Sequence, residues 1–426
     1  MIGLAILGAV LVGYALVAAR LDRWSITAPI VFVMTGAALG LGAPEWLGGL
    51  TDPEPVKHVA ELTLALLLFA DAATLRWNQL REDGALPIRL LVVGFPLTVL
   101  IGIGFGSWVL PGVTLAMAAL IASILAPTDA ALGLGVFTNR VVPARIRRAL
   151  NVESGLNDGM ATPLVTLFLA VLLAEEGAGP ENWVAESLTE LGIGLAVALV
   201  VGLVAGHAIA LAKQHEWMSP LSERLAVLAS ALVAYTAAVA AGGNGFVSAF
   251  VAGIVFAAAS KDRLRERVEF TEDLALFASF LVWAIFGALL LAPLLREGMR
   301  LTTLLYSVLS LTVVRILPVA VAMLGTRLRP ASIWFMGWFG PRGLASVVFT
   351  LIAFETLGRD DPAATVIEVA TATVFLSVIA HGISAGPLAR LYGRHAADQP
   401  VEHAGDPIGD PVPRSLSHVH PSGQTR

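Results

Sequence analysis

Residues 112 to 136 read GVTLAMAALIASILAPTDAALGLGV. About 20 mostly apolar residues make one helical crossing of a bilayer, and this run is long enough. Its second half is interrupted. Pro127 removes a backbone donor and clashes with the preceding turn, which frees carbonyls that hydrocarbon cannot satisfy. Asp129 follows two residues later, and a charge near the bilayer centre costs at least ~2.5–3.5 kcal/mol on insertion scales. A proline kink would account for Pro127 alone; with Asp129 beside it, the break reads as the lining of a cavity or a packed protein contact. A second run, 332 to 355, is interrupted in the same way by Gly340-Pro341-Arg342-Gly343.

The rest of the chain has the same character. Of 426 residues, 57% are hydrophobic and 14% charged, against roughly 25% charged in soluble proteins, so the apolar excess must face lipid. The net charge of -5 offers no basic surface for nucleic acid. With no Cys, disulfides, thiolate metal sites and Cys nucleophiles are excluded, leaving oxygen and nitrogen chemistry. Thirteen apolar runs can be traced, near 2–19, 26–42, 58–75, 90–110, 112–136, 150–174, 189–212, 225–241, 243–259, 273–295, 301–325, 332–355 and 363–389. The eighth and ninth also read as one long bent helix around Gly242, Gly243 and Gly245. From about Gly393 the chain turns polar and proline-rich, as a disordered tail does. The expected fold class is therefore an all-α polytopic membrane protein of about 13 transmembrane helices.

Basic residues orient it. Loops after odd-numbered runs hold 17 Lys and Arg, those after even-numbered runs 4. By the positive-inside rule the N-terminus lies outside and the tail in the cytoplasm. The first run has no Lys or Arg ahead of it and reads as a retained span rather than a signal peptide. Runs five and twelve are an odd number apart, so their interruptions run in opposite directions through the membrane. Paired interruptions in inverted repeats point to a transporter's midplane site. Broken helices that cross there bring partial positive and negative ends together, with Asp129 and Arg342 as the available counter-charges.

Few charges lie well inside runs: the acids Asp71, Asp129, Glu153 and Asp158, and the bases Arg315 and Arg342. The acidic surplus wants a cation or a proton. The densest polar segment, NVESGLNDGMATP, spans Asn151 to Pro163 and opens the sixth run. On a helix Ser154, Asp158 and Thr162 form one stripe, with Glu153 and Asn157 on a neighbouring one. Gly155 and Gly159 leave room for a second backbone to cross closely. A polar stripe can simply line a helix contact, but Glu, Ser, Asn and Asp within six residues of a membrane span read as a site. His207 and His381 also lie in runs and read as packed or interfacial. Gly382-Ile383-Ser384-Ala385-Gly386 matches G-x-S-x-G in a span rather than on a strand-to-helix elbow, so no enzyme is expected. No GxGD surrounds Asp129 or Asp158 to suggest an aspartyl protease. The charged loop from Lys261 to Asp273 reads as a solvated connection.

With these segments in hand, the chain resembles the monovalent cation/proton antiporters, in the branch of the NhaP-type sodium/proton antiporters and the animal sodium/proton exchangers. The matching pieces are LLLFADAA at 66–73, APTDAA at 126–131, ESGLNDG at 153–159, TVVRILP at 312–318, GPRGLAS at 340–346 and HG at 381–382. ESGLNDG is the most specific. The resemblance implies an NhaA-like fold of inverted repeats with two interrupted crossing helices. Core transport helices would occupy 87–174 and 300–390, scaffold and dimerisation helices 1–86 and 175–299, and the tail 391–426. Asp158 would bind cation or proton in competition, with Asp129, Ser154 and Thr128 completing the oxygen shell of a monovalent cation and Asp71 contributing from the third span. Asn157, where electrogenic relatives carry a second Asp, implies electroneutral one-for-one exchange. Glu153 and Arg315 would form a buried structural pair, with Arg342 also supporting. The partners implied are a monovalent cation (Na+, with Li+ or K+ as alternatives), protons, the cell membrane and a second copy in a homodimer, with no cofactor. Ligand types are shared by these ions, so the choice among them stays open, as does the less favoured cation channel.

Overall fold

A computed structural model of the chain describes residues 2–48, 53–75, 85–133, 136, 142–175, 177, 182–260, 264–358 and 363–396. Among the described residues the fold is all helical, without strands. In chain order the helices are α1 (Ile2–Arg23), α2 (Ala28–Gly42), α3 (Pro53–Ala73), α4 (Ala85–Val109) and α5 (Leu115–Leu125). Next come α6 (Ala144–Glu175), α7 (Trp183–Gln214), α8 (Pro220–Ala240), α9 (Gly245–Ser260) and α10 (Glu266–Glu297). The last five are α11 (Leu301–Leu311), α12 (Val313–Ala322), α13 (Pro330–Trp338), α14 (Leu344–Leu357) and α15 (Ala363–Ala396).

Among the described residues, eight stretches are long and apolar enough to cross a membrane, counting α11 and α12 as one; α2, α5, α9 and α14 are shorter apolar helices. The chain is a multi-pass membrane protein. Local chemistry sets several starts. Thr114 caps α5 by accepting from the Met117 amide, and Ser219 and Ser222 form a reciprocal capping box that spans Pro220 at the start of α8, satisfying amides that would otherwise be orphaned. The alternative of one long helix over 225–259 is resolved as two, because the chain turns at Gly242 with φ +75.

Three expected boundaries move. α6 starts at Ala144 rather than near 150, so ESGLNDG sits in the helix interior instead of opening it. At about 1.5 Å per residue its 32 residues outrun a ~30 Å hydrocarbon core, and the overhang carries Arg145, Arg147 and Arg148. The expected loop after α9 is largely helix: residues 261–263 lie outside the described residues, but Arg265 and Arg267 are helical. Arg267 Nε pairs with Glu223 at 2.7 Å, and Lys213 approaches the same carboxylate at 3.5 Å. The expected tail stays helical to Ala396, and from residue 397 it lies outside the described residues.

Contacts between helices gather in two sets. In one, α2, α3, α7, α8, α9 and α10 pack together; in the other, α4, α5, α6, α11, α12, α13, α14 and α15 do. α6 and α14 also touch α3, bridging the sets. Within lipid there is little hydrophobic drive between helices, so close van der Waals approach of small residues does the work. At Gly36 in α2 an added Cβ would collide with the Ala284 backbone of α10.

Candidate ion site at the crossing of two broken helices

α5 stops at Leu125 and a short 3-10 turn resumes at Ala130–Gly133, so Ala126-Pro127-Thr128-Asp129 is non-helical. α13 stops at Trp338 and α14 starts at Leu344, leaving Phe339 to Gly343 non-helical. The two breaks cross. The Asp129 amide donates to the Pro341 carbonyl at 2.8 Å. At Gly343 the contact is so close that an added Cβ would overlap the Asp129 side chain.

Each break supplies a charge to the other helix's orphaned end. Asp129 Oδ2 accepts from the Leu344 amide at 3.1 Å, so it caps the positive N-terminus of α14, where the local N-cap, Gly343, has no side chain. Arg342 donates from Nη1 to the Ala126 carbonyl at 3.0 Å and from Nη2 to the Ser310 carbonyl at 2.9 Å, at the C-terminal ends of α5 and α11. Carboxylate on a helix start and guanidinium on helix ends both oppose the helix dipoles. The counter-charges expected for crossed broken helices are therefore met in trans. Replacing Asp129 with Ala removes an N-cap, a loss of roughly 0.5–2 kcal/mol in other helices. We expect D129A to lower the thermal transition in detergent by clearly more than D129N, which retains an acceptor; equal transitions would remove the capping role.

α6 is fastened to the first break by two side chains. Ser154 Oγ donates to the Thr128 carbonyl and accepts from the Ala130 amide, both at 2.8 Å. Asn157 Oδ1 accepts from the Thr128 amide at 3.3 Å, while its Nδ2 donates to Thr128 Oγ1 at 2.8 Å. All three residues are buried. These bonds engage the hydroxyl proton and one lone pair of Ser154, so any further coordination by it uses the remaining lone pair. Asp158, one turn beyond Ser154, is partly exposed, with Oδ1 shielded from solvent. Asp71 is buried near the end of α3, which packs against α6.

The second cluster is an ion pair. Arg315 Nη1 and Nη2 meet Glu153 Oε1 and Oε2 at 2.5 and 2.8 Å, with the side chains 2% and 1% exposed. Gly340 lies directly over the Arg315 guanidinium. The pair thus joins α6, α12 and the second break. At Gly159 the close neighbour is the ring of Phe250 in α9 rather than a crossing backbone, which corrects the small-residue expectation there.

Several polar residues at the crossing escaped the sequence reading. Ser346 donates to the Ile124 carbonyl at 2.7 Å, and Ser377 accepts the Arg342 amide at 2.7 Å. For Ser377 a signal is present: Thr373, Ser377 and His381 repeat every four residues along α15, the same stripe rule that singles out α6. His381 is fully buried between Ser377 and the Trp338 carbonyl, which lies 2.9 Å from Nε2. His207 is exposed on α7. Ser384 of the G-x-S-x-G match sits inside α15 and accepts from Trp338 Nε1 at 3.0 Å, so no nucleophile elbow exists there.

Comparison with known proteins agrees with this architecture. The Na(+)/H(+) antiporter ApNhaP of Aphanothece halophytica is 26% identical over 339 residues, 76% of this chain and 63% of its own. The K(+)/H(+) antiporter NhaP of Alkalimonas amylolytica is 25% identical over 380 residues, covering 88% of this chain and 64% of its own. The chain thus spans slightly under two thirds of the length of these relatives. The sodium proton antiporter MjNhaP1 from Methanocaldococcus jannaschii superposes with a TM-score of 0.74 at 23% identity, covering 92% of this chain and 99% of that one. The family model for the transmembrane sodium/hydrogen exchangers matches residues 6–391, and with nearly the whole helical region matched, the chain belongs to that family of transporters.

Proposed function

We propose that this protein is a secondary active transporter that exchanges a monovalent cation for protons across the cell membrane, by alternating access and one for one. The observation that carries the reading is the crossing of two broken helices, capped in trans by Asp129 and Arg342, with Asp158 on the helix stapled to it. Hydrogen bonds and dipole compensation make this irregular backbone tolerable at membrane depth, as a site there requires. Asp158, with Asp129, Thr128, Ser154 and Asp71 as oxygen donors, holds a hard monovalent cation. If Asp158 is either cation-bound or protonated at each crossing, competition at one carboxylate couples the two fluxes, and no cofactor is needed. Asn157, neutral beside Asp158, supports electroneutral exchange.

The helices of residues 87–174 and 300–390 form the moving core in this reading, and those of 1–86 and 175–299 the scaffold through which two copies pair. The two sets of helix contacts support that division. The basic overhang of α6 supports a cytoplasmic C-terminus and an external N-terminus. A K+-selective exchanger is the second reading, favoured by the similarity to relatives named K(+)/H(+) antiporters. Everted vesicles bearing an imposed proton gradient test both. We expect Na+ to dissipate the gradient; dissipation by K+ alone moves the assignment to the second reading, and none by Na+, Li+ or K+ at any pH overturns exchange.

A further inference from the structure

We propose that the groove between α12, α13 and α15 binds an anionic phospholipid of the bilayer, one acyl chain filling the groove and the phosphate headgroup held at Arg327 and Arg329. The groove has a volume of about 840 Å³, in the range of roughly 300–1,000 Å³ typical of built ligand sites. Its walls are apolar, with Ile316 and Ala320 from α12, Trp334 and Trp338 from α13, and Leu388 and Tyr392 from α15. Trp334 is 62% exposed, so the groove opens sideways, towards lipid in a membrane-embedded protein.

Its length selects the occupant. The groove runs from Ala331 at the start of α13 to Phe339 at the second break. Nine residues of helix at 1.5 Å each rise about 14 Å, close to half of a ~30 Å hydrocarbon core. That is the reach of one chain from one leaflet. The turn just ahead of the groove's outer end, two residues before Ala331, selects the headgroup. Arg327 and Arg329 are exposed in the turn that begins α13, on the side where the basic loops gather. Arg329 is the N-cap of that helix and makes no side-chain cap, with Pro330 following. Two guanidiniums beside a positive helix end suit a phosphate, and the Trp334 indole and the Tyr392 phenol, which donates to Ser332 near that end, suit the interface. At its inner end the groove reaches Thr312, at the junction of α11 and α12, and Phe339, the first residue of the second break, next to the Gly340 that abuts Arg315. An occupied groove therefore buttresses the ion site from behind.

Binding is read without transport, so failure here is separable from failure of the exchange assignment. The full chain is released from vesicles of phosphatidylcholine mixed with phosphatidylglycerol, and retained lipid is counted by native mass spectrometry. We expect wild-type protein to retain phosphatidylglycerol selectively. R327Q/R329Q changes only exposed side chains and should weaken retention about 30-fold, roughly fivefold per arginine. Ala320→Trp, which fills the groove, should abolish it. Equal retention of phosphatidylcholine, retention unchanged in both variants, or an Ala320→Trp effect confined to the monomer–dimer balance overturns the proposal.

Discussion

Asp158→Asn reduces cation-dependent proton movement in everted vesicles to background while folded yield stays near wild type. The expectation follows from how the carboxylate is placed. Its neighbours on α6, Ser154 and Asn157, carry the hydrogen bonds that fasten the helix to the broken segment at Thr128 and Ala130. Those bonds are untouched by the substitution, and Asn nearly matches Asp in shape. What changes is chemical. An amide neither accepts a proton at working pH nor neutralises a bound cation, so neither transported species is carried. Exchange preserved in D158N, at any pH and with any of Na+, Li+ or K+, would show that another acid carries the ion.

The second large effect is on folding. Glu153→Gln leaves the Arg315 guanidinium buried without its carboxylate, and Arg315→Met leaves the converse; the groups are 1% and 2% exposed. Removing one partner of a buried pair costs about 3–5 kcal/mol, whereas replacing both by neutral groups is often close to neutral. We therefore expect each single variant to give little folded protein and a sharply lowered thermal transition in detergent. The double variant should recover a substantial part of both, a non-additivity that a double-mutant cycle measures directly. Normal yield with lost transport in the single variants would instead place the pair in the transport cycle. No recovery in the double variant would mean that α6 and α12 need the charges themselves, not merely their mutual compensation.

Much of this site was legible in the chain. Pro127, Asp129 and the Gly340-Pro341-Arg342-Gly343 segment announced two interruptions because a proline and a charge in an apolar run have few tolerable settings in lipid. ESGLNDG stood out for a similar reason. What the chain alone cannot show is a distance between segments far apart in sequence. The resemblance implies Ser154 and Thr128 as ion ligands, and the structure adds that the Ser154 hydroxyl donates to the Thr128 carbonyl. Asp129 had been a counter-charge in general; its particular duty, capping α14, depends on Gly343 allowing the backbones to meet. The start of α6 was misplaced because Arg145, Arg147 and Arg148 look like loop when counted by hydropathy, although a helix continues readily beyond the hydrocarbon.

By itself the sequence determined a helical membrane protein, the positions of its two interruptions and the short set of buried charges, because hydrocarbon penalises every unsatisfied polar group wherever the chain later places it. Only the tertiary structure decided which charge answers which: Arg342 to the carbonyls of Ala126 and Ser310, Asp129 to the amide of Leu344, Arg315 to Glu153. These pairings join residues 32 to 216 positions apart. Nothing local to either partner encodes them; they follow from the crossing of the broken helices, which brings dipole ends and side chains within hydrogen-bonding reach.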